Sequence, residues 1–178
     1  MSFSSDRRKV LDESLPLGRR VTALCGCLNR YRPIGFHAAL SFLRFVAGDF
    51  TRDPAALPRA MELLTASYTA WQAELHAYGV LRRRAKELGY RVPHPSAPNP
   101  NRPSHWYGAP REAALHAVWF WYSKGDSADV DVHSLAVALV ERGRFTAAQR
   151  EIFDRVLAEP GDSRAIVRQM AVVVAGDG

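Results

Sequence analysis

One long amphipathic stripe in the middle of the chain constrains the fold more than any other feature. Its seven apolar side chains are spaced alternately by four and three residues, which places them on one face of an α-helix of about six turns. They are Leu57, Met61, Leu64, Tyr68, Trp71, Leu75 and Tyr78. Ala, Ser, Thr and Gln flank the stripe in place of the paired Glu and Lys of a free coiled coil. We therefore expect the helix to pack against its own chain, with Leu64 and Trp71 in the core.

Shorter stripes of the same kind occupy most of the remaining chain, each bounded by a proline, a glycine or a capping residue. They predict helices from Leu17 to Tyr31, from about Ile34 to Ala47 and from Pro110 to Tyr122, besides the long helix that ends at Gly89. Three more helices follow: one after a turn at 124–131 that Gly143 closes, one that starts at a capping box of Thr146 and Gln149, and a last one after the break at 160–163. No segment alternates apolar and polar residues as a strand does. The sequence thus predicts an all-α fold, a single compact bundle of about six or seven helices with one long central helix.

Proline marks the one segment that cannot be helical. Six prolines lie between residues 91 and 110, where Asn, Ser and His separate them. Proline restricts both itself and the residue before it to extended backbone, so this segment is predicted to be a proline-rich connector. We expect one helical domain over 1–178, with helical halves at 14–90 and 111–175 on either side of the connector.

The charge of the chain favours an anionic partner. Its net charge of +6 comes from 21 Arg and 3 Lys against 18 acidic residues. Arginine makes bidentate contacts with phosphate and carboxylate, although a GC-rich genome produces the same bias. The candidate nucleic-acid surface starts near the end of the long helix and continues into the connector, where two aromatic residues are available for stacking. Its residues are Arg82, Arg83, Arg84, Lys86, Arg91, Arg102, Trp106 and Tyr107.

An aromatic run suggests a protein contact. Residues 117–122 are apolar around the whole circumference of their predicted helix, so they must be buried or must face a partner. Aromatic residues carry much of the energy of interfaces, which makes four of them the candidate partner-binding site. They are Trp119, Phe120, Trp121 and Tyr122. An ordinary aromatic core with a solvated basic face beside it is the alternative for both candidate surfaces.

Common catalytic and metal-binding patterns are missing from the sequence. The six histidines form no i, i+4 pair, and there is no Cys-x-x-Cys, glycine-rich phosphate loop or Gly-x-Ser-x-Gly elbow. We therefore assign no catalytic residue, cofactor or metal. Cys25 and Cys27 lie two residues apart on a helix, where they cannot pair with each other. No apolar run reaches the ~18 residues that span a bilayer, so we expect a soluble intracellular protein.

Two segments resemble the helical nucleotide-binding ribonucleases called HEPN. In those enzymes an arginine and a histidine separated by four residues act on RNA phosphate. Arg111 and His116 have this spacing, as do Arg32 and His37. An arginine-rich chain contains such pairs by chance, so a ribonuclease is only an alternative function.

Residues 68–174 resemble the small helical subunit of type I-E CRISPR effector complexes. The blocks that carry the resemblance follow in the same order along the chain. They include Tyr68-Thr-Ala-Trp71, Leu81-Arg-Arg-Arg84, Trp106, Ser123-Lys-Gly125, Gly143-Arg144 and Arg150-Glu-Ile152-Phe153. The resemblance implies a non-catalytic subunit whose arginines contact nucleic-acid backbone inside a larger assembly.

Residues 111–170 also resemble a degenerate EF-hand pair. Val130-Asp-Val132-His-Ser134-Leu135 is similar to the exit half of an EF-hand, and Trp119 and Tyr122 occupy the aromatic places of its entering helix. The loop positions that should supply oxygen ligands would be Ser123, Gly125, Ser127 and Ser134. Carboxylates are missing there, so this resemblance implies a calcium-free scaffold. Both resemblances lead to a basic helical subunit that joins an assembly, with nucleic acid or protein as its partner.

Overall fold

A computed structural model describes residues 2–90, 100–101, 103–125, 129–158 and 164–176. Within these ranges every regular element is a helix. In chain order they are α1 (Phe3–Leu11), α2 (Leu17–Arg30), α3 (Phe36–Ala47), α4 (Ala56–Glu87), α5 (Pro110–Ser123), α6 (Val130–Arg142), α7 (Ala147–Ala158) and α8 (Arg164–Ala175). The all-α prediction is confirmed, although the described residues form eight helices instead of six or seven.

The helix that the sequence did not predict is α1. It has too few apolar residues for a recognisable stripe, but it forms because Ser2 caps it and because two apolar side chains bury against the rest of the chain. Phe3 stacks on Tyr68 of α4 with ring centroids 3.8 Å apart, and Val10 is fully buried. The buried Arg20 of α2 donates through Nε to the carbonyl oxygen of Val10, 2.8 Å away, which satisfies an acceptor at the end of α1.

The long helix α4 divides into a packed first half and an exposed second half. Leu57, Met61 and Leu64 are fully buried in a core shared with α1, α2 and α3. Trp71 is only half-buried, so its predicted place in the core is corrected to the edge, where Nε1 donates to the carbonyl oxygen of Pro100 at 2.7 Å. Beyond Trp71 no residue of α4 is fully buried. The expectation that the stripe packs against its own chain therefore holds for the first half of α4 alone.

Helix α5 lies between two hydrophobic cores. Ala113 and Ala117 face the first core, whereas Ala114 and Val118 face a second core that α5 forms with α6, α7 and α8. These two pairs of residues lie on adjacent faces of α5, about 100° apart, so contact with two cores makes a wide arc of the helix apolar. The small alanines allow the neighbouring helices to approach closely.

Local sequence signals set the ends of the helices in the second core. Asp129 accepts hydrogen bonds from the backbone N–H groups of Asp131 and Val132 at the start of α6, and Gly143 ends that helix with a φ of 71°. The backbone N–H of Gln149 donates to the Thr146 hydroxyl while the Gln149 side chain accepts from the backbone N–H of Thr146. The predicted capping box at the start of α7 is thereby confirmed.

The proline-rich connector is described only in part. Residues 91–99 and 102 lie outside the described residues, and residues 103–109 are non-helical as predicted. The two cysteines are free. Among the helices that the structure describes, none combines the length and the apolar character needed to cross a bilayer.

Candidate nucleic-acid interface

The exposed second half of α4, residues 72–87, is the element that carries most of the predicted nucleic-acid surface. We call it the α4 arm. Four of its residues are half-buried and the others are exposed. Leu81 on the arm and Leu88 directly after it keep 48% and 67% of their surface exposed. Both apolar and basic side chains of the arm are therefore accessible to solvent.

Four cations occupy the end of the α4 arm. Arg82, Arg83, Arg84 and Lys86 are all exposed, and none of them forms an ion pair or a side-chain hydrogen bond within the described part of the chain. The i, i+3 and i, i+4 spacings place Arg82, Arg83 and Lys86 on one side of the helix. These three line a shallow groove of about 720 Å³ with Gly79, Gly89 and Tyr90. Such a groove can accept an anion without first breaking an internal salt bridge.

The two aromatic residues of the predicted nucleic-acid surface differ from expectation. Arg91 and Arg102 lie outside the described residues. Trp106 is only 3% exposed and meets Phe42 edge to face, so its predicted stacking role is wrong. Tyr107 is half-buried, and its hydroxyl donates to Glu74 of the α4 arm. Burial and this hydrogen bond raise the pKa of the Tyr107 hydroxyl. The hydrogen bond also ties the connector to α4.

The aromatic run at the end of α5 does not form one surface. Phe120 packs against the first core and Trp121 against the second, each partly buried. Trp119 and Tyr122 are the two with substantial exposure, at 45% and 36%. The four side chains surround the helix instead of converging, so most of the run serves the chain's own packing.

A small aromatic patch that the sequence did not suggest lies beside Trp119. Phe45 of α3 is 76% exposed, and the ring of His116 lies between it and Trp119, with centroids 5.4 and 5.2 Å away. His116 also pairs through Nε2 with the Ser41 hydroxyl at 2.9 Å. At 100° per residue Phe45 lies about 160° around α3 from Leu43, so helical periodicity places it away from the apolar stripe of that helix, which agrees with its exposure.

Arginines distant in sequence meet at a second basic groove. Its walls come from the start of α5, the end of α6, the start of α7 and the end of α8, and it encloses about 940 Å³. Four arginines line it: Arg111, Arg142, Arg144 and Arg150. Arg111 donates to the carbonyl oxygen of Gly143, and Arg142 donates to the side chain of Gln149. These contacts hold the two guanidinium groups at the groove wall.

The two arginine and histidine pairs with ribonuclease-like spacing have different surroundings. The Arg111 guanidinium faces the loop after α6, whereas His116 faces α3, so the two side chains are directed to different helices. Burial lowers the pKa of His116, which favours its neutral form. Arg32 and His37 instead line a common cleft between the turn before α3, the end of α5, and α8. We call this the inter-core cleft.

The residues at the predicted EF-hand loop positions do not form a metal-binding site within the described part of the chain. Within those ranges, no three His, Cys, Asp or Glu side chains converge on a point that could hold an ion. Ser127 of the predicted loop lies outside them. Asp131 pairs with Arg155 of α7 at 2.5 Å and so serves the contact between α6 and α7.

Comparisons with known protein families, with curated proteins and with solved structures find no match. The resemblances to a CRISPR small subunit, an EF-hand pair and a HEPN ribonuclease therefore stay predictions.

Proposed function

We propose that the protein is a non-catalytic subunit that binds nucleic-acid backbone through the α4 arm. One observation carries the proposal: Arg82, Arg83, Arg84 and Lys86 are exposed on a helix end and have no ionic partner among the described residues. A phosphate that reaches them replaces water and counterions, whose release drives binding.

The geometry suits a backbone contact more than a sequence-specific one. The four arm cations lie within residues 82–86, about 6 Å of helix, so their long side chains can contact neighbouring phosphates of one strand. Trp106 is buried, and Tyr90 is the aromatic residue that lines the groove beside Arg82, Arg83 and Lys86. The groove lined by Arg111, Arg142, Arg144 and Arg150 offers a second place for phosphate.

The test compares two variants of equal charge. Arg82→Ala, Arg83→Ala and Arg84→Ala together remove three arm cations, and Arg8→Ala, Arg19→Ala and Arg59→Ala remove three exposed cations elsewhere. Fluorescence anisotropy with a labelled single-stranded oligonucleotide at low salt should show at least about tenfold weaker binding for the arm variant. The control variant should stay near wild type. Equal losses in both variants would show that net charge, and not the arm, determines binding.

A protein-protein contact is the second candidate function, and the exposed pair Phe45 and Trp119 favours it. Large aromatic side chains exposed beside each other are typical of interface centres. If copies of the chain associate through this patch, the weight-average sedimentation coefficient should rise with concentration in wild type and stay constant in Phe45→Ser. Val130→Ser, at an exposed apolar residue elsewhere, is the matched control. Identical behaviour of wild type and Phe45→Ser would remove the patch as a contact between copies.

A further inference from the structure

A buried amide in the inter-core cleft lacks a hydrogen-bond partner. Gln169 of α8 is 7% exposed, and its Oε1 has no partner among the residues that the structure describes. Its Nε2 donates to the carbonyl oxygen of Ser104 at 2.9 Å. That bond determines the orientation of the amide, because the flipped amide would place two acceptors against each other. The unsatisfied group is therefore an acceptor, and it requires an N–H or O–H donor.

The cleft around Gln169 has the size and the lining of a ligand site. It encloses about 790 Å³, within the range of small-molecule sites in proteins. Phe36, Phe120 and Trp121 line it together with Gln169, and each of these aromatic side chains is half-buried. They provide flat apolar walls against which a planar ring can stack.

Positive charge surrounds the mouth of the same cleft. Arg32, Lys124 and Arg168 line it and are exposed, and no Asp or Glu does so among the described residues. The first turn of α3 also borders it. Gly35 caps that helix without a side-chain hydrogen bond, which leaves backbone N–H groups of the first turn available to an anion. The ligand thus needs an anionic group beside a planar ring that carries a hydrogen-bond donor.

We propose that the inter-core cleft binds a nucleoside phosphate whose base carries an exocyclic amino group. Oε1 is fully buried, so the Gln169 side chain must turn toward the cleft before the amino group can donate to it. The base lies against Phe120 and Trp121, and the phosphate contacts Arg32 and Arg168 at the mouth. The ligand is either a free nucleotide or one unit of a single strand, since both offer the same chemistry. This proposal does not depend on oligonucleotide binding by the α4 arm.

Calorimetric titration with AMP tests the proposal. Wild type should bind AMP saturably at one site. Purine riboside 5′-phosphate, which lacks only the 6-amino group, should bind about tenfold more weakly, because Oε1 then stays unpaired. Gln169→Leu should bind both nucleotides with the same, weaker affinity. Equal binding of the two nucleotides by wild type, or a preference for AMP that survives in Gln169→Leu, would overturn the assignment of Gln169.

A second variant keeps the test valid if Gln169→Leu does not fold. Arg32→Ala with Arg168→Ala changes only exposed side chains. It should weaken AMP binding about tenfold and leave adenosine binding unchanged, because adenosine has no phosphate. If wild type binds none of AMP, CMP or GMP at millimolar concentration, the proposal is wrong.

Two further titrations identify the source of the ligand and separate this site from the arm. An oligoadenylate that binds more tightly than AMP and displaces it indicates a unit of a strand, whereas one that leaves AMP in place indicates a free nucleotide. The triple arm variant should bind AMP as wild type does. AMP binding that is lost in the arm variant would contradict a separate site.

Discussion

At the scale of single residues, Ser67 connects three parts of the chain. This buried serine of α4 shares a 2.7 Å hydrogen bond with the Tyr31 hydroxyl and accepts another, at 2.9 Å, from the backbone N–H of Tyr107. Tyr31 ends α2, and Tyr107 belongs to the connector. Burial raises the pKa of Tyr31 to about 12, as expected for a phenol with no access to water. One hydroxyl thus positions the segment that leads into α5.

Replacing Ser67 with alanine should destabilise the fold measurably. The change leaves the buried Tyr31 hydroxyl and the Tyr107 N–H without their partner, at a cost of about 1–3 kcal/mol. Thr65→Ala, which removes only a hydrogen bond within the same helix, is the control. Urea unfolding should show a lower midpoint for Ser67→Ala and partial recovery when Tyr31→Phe is added. Additive losses in the double variant would mean that the Tyr31 hydroxyl is not coupled to Ser67.

His116 should make stability depend on pH in the acidic range. Burial lowers its pKa below the ordinary value of 6.5, so the unfolded chain binds the proton at a higher pH than the folded chain does. The stabilising contribution is present above that ordinary value and is lost as the pH falls from there through the lowered pKa of the folded chain. Thermal unfolding should therefore show a smaller fall in Tm between pH 7 and pH 5 for His116→Gln than for wild type.

An exposed histidine provides the control for this pH dependence. His76→Gln on the α4 arm should retain the wild-type pH dependence. The same fall in Tm for wild type and His116→Gln would show that other groups cause it.

At the scale of elements, a single glycine allows α1 to approach α2. A Cβ atom added at Gly26 would lie 2.8 Å from Oδ2 of Asp6, which is closer than real Cβ contacts allow. Asp6 has little freedom to move because it is buried, with Arg30 3.4 Å and Lys9 3.9 Å away. The contact between these two helices depends on the absence of a side chain at that position.

Gly26→Ala should cost about 1–3 kcal/mol through overpacking, although alanine is the better helix former. Gly18→Ala in the same helix is the matched control, because nothing lies within 4 Å of its added Cβ. Circular dichroism during thermal unfolding should show a lower Tm for Gly26→Ala and an unchanged or higher Tm for Gly18→Ala. A Gly26→Ala protein as stable as Gly18→Ala would mean that α1 is not held against α2.

Periodicity predicted seven of the eight described helices, and the reason for the exception is physical. Helices α2 to α8 each carry an apolar stripe with a proline, a glycine or a cap near an end, and these signals depend only on neighbouring residues. Helix α1 has Phe3, Val10 and Leu11 as its only apolar residues. Its stability comes from Arg20 and Tyr68, which are distant in sequence, so a local pattern could not reveal it.

At the scale of the whole molecule, the position of α5 determines which predicted surfaces remain available. Its aromatic end looked like a partner site because the sequence shows an apolar circumference without showing that a core lies on each side. Trp106 was misjudged for the same reason, since its burial against Phe42 depends on how α3 meets the connector. The arm cations Arg82, Arg83 and Arg84 needed no such information. Charged residues at the end of a long stripe remain exposed unless another element covers them.

Two candidate sites depend on tertiary structure and could not be predicted from the sequence. The basic groove combines Arg111 with Arg144 and Arg150, and the inter-core cleft combines Arg32 with Gln169. Each combination requires α5 to lie against α8, a contact between residues far apart in the chain. The sequence contained these side chains but no spacing that relates them.

The salt dependence of oligonucleotide binding tests the central claim most directly. If the α4 arm neutralises phosphates, the plot of log affinity against log salt concentration should flatten by roughly 2–3 units when Arg82, Arg83 and Arg84 become alanine. Stability should change little, by about ±0.5 kcal/mol or less per exposed residue, so folding cannot account for the effect. An arm variant that binds with the wild-type slope and affinity, or a wild-type protein that binds no oligonucleotide at low salt, would contradict the account.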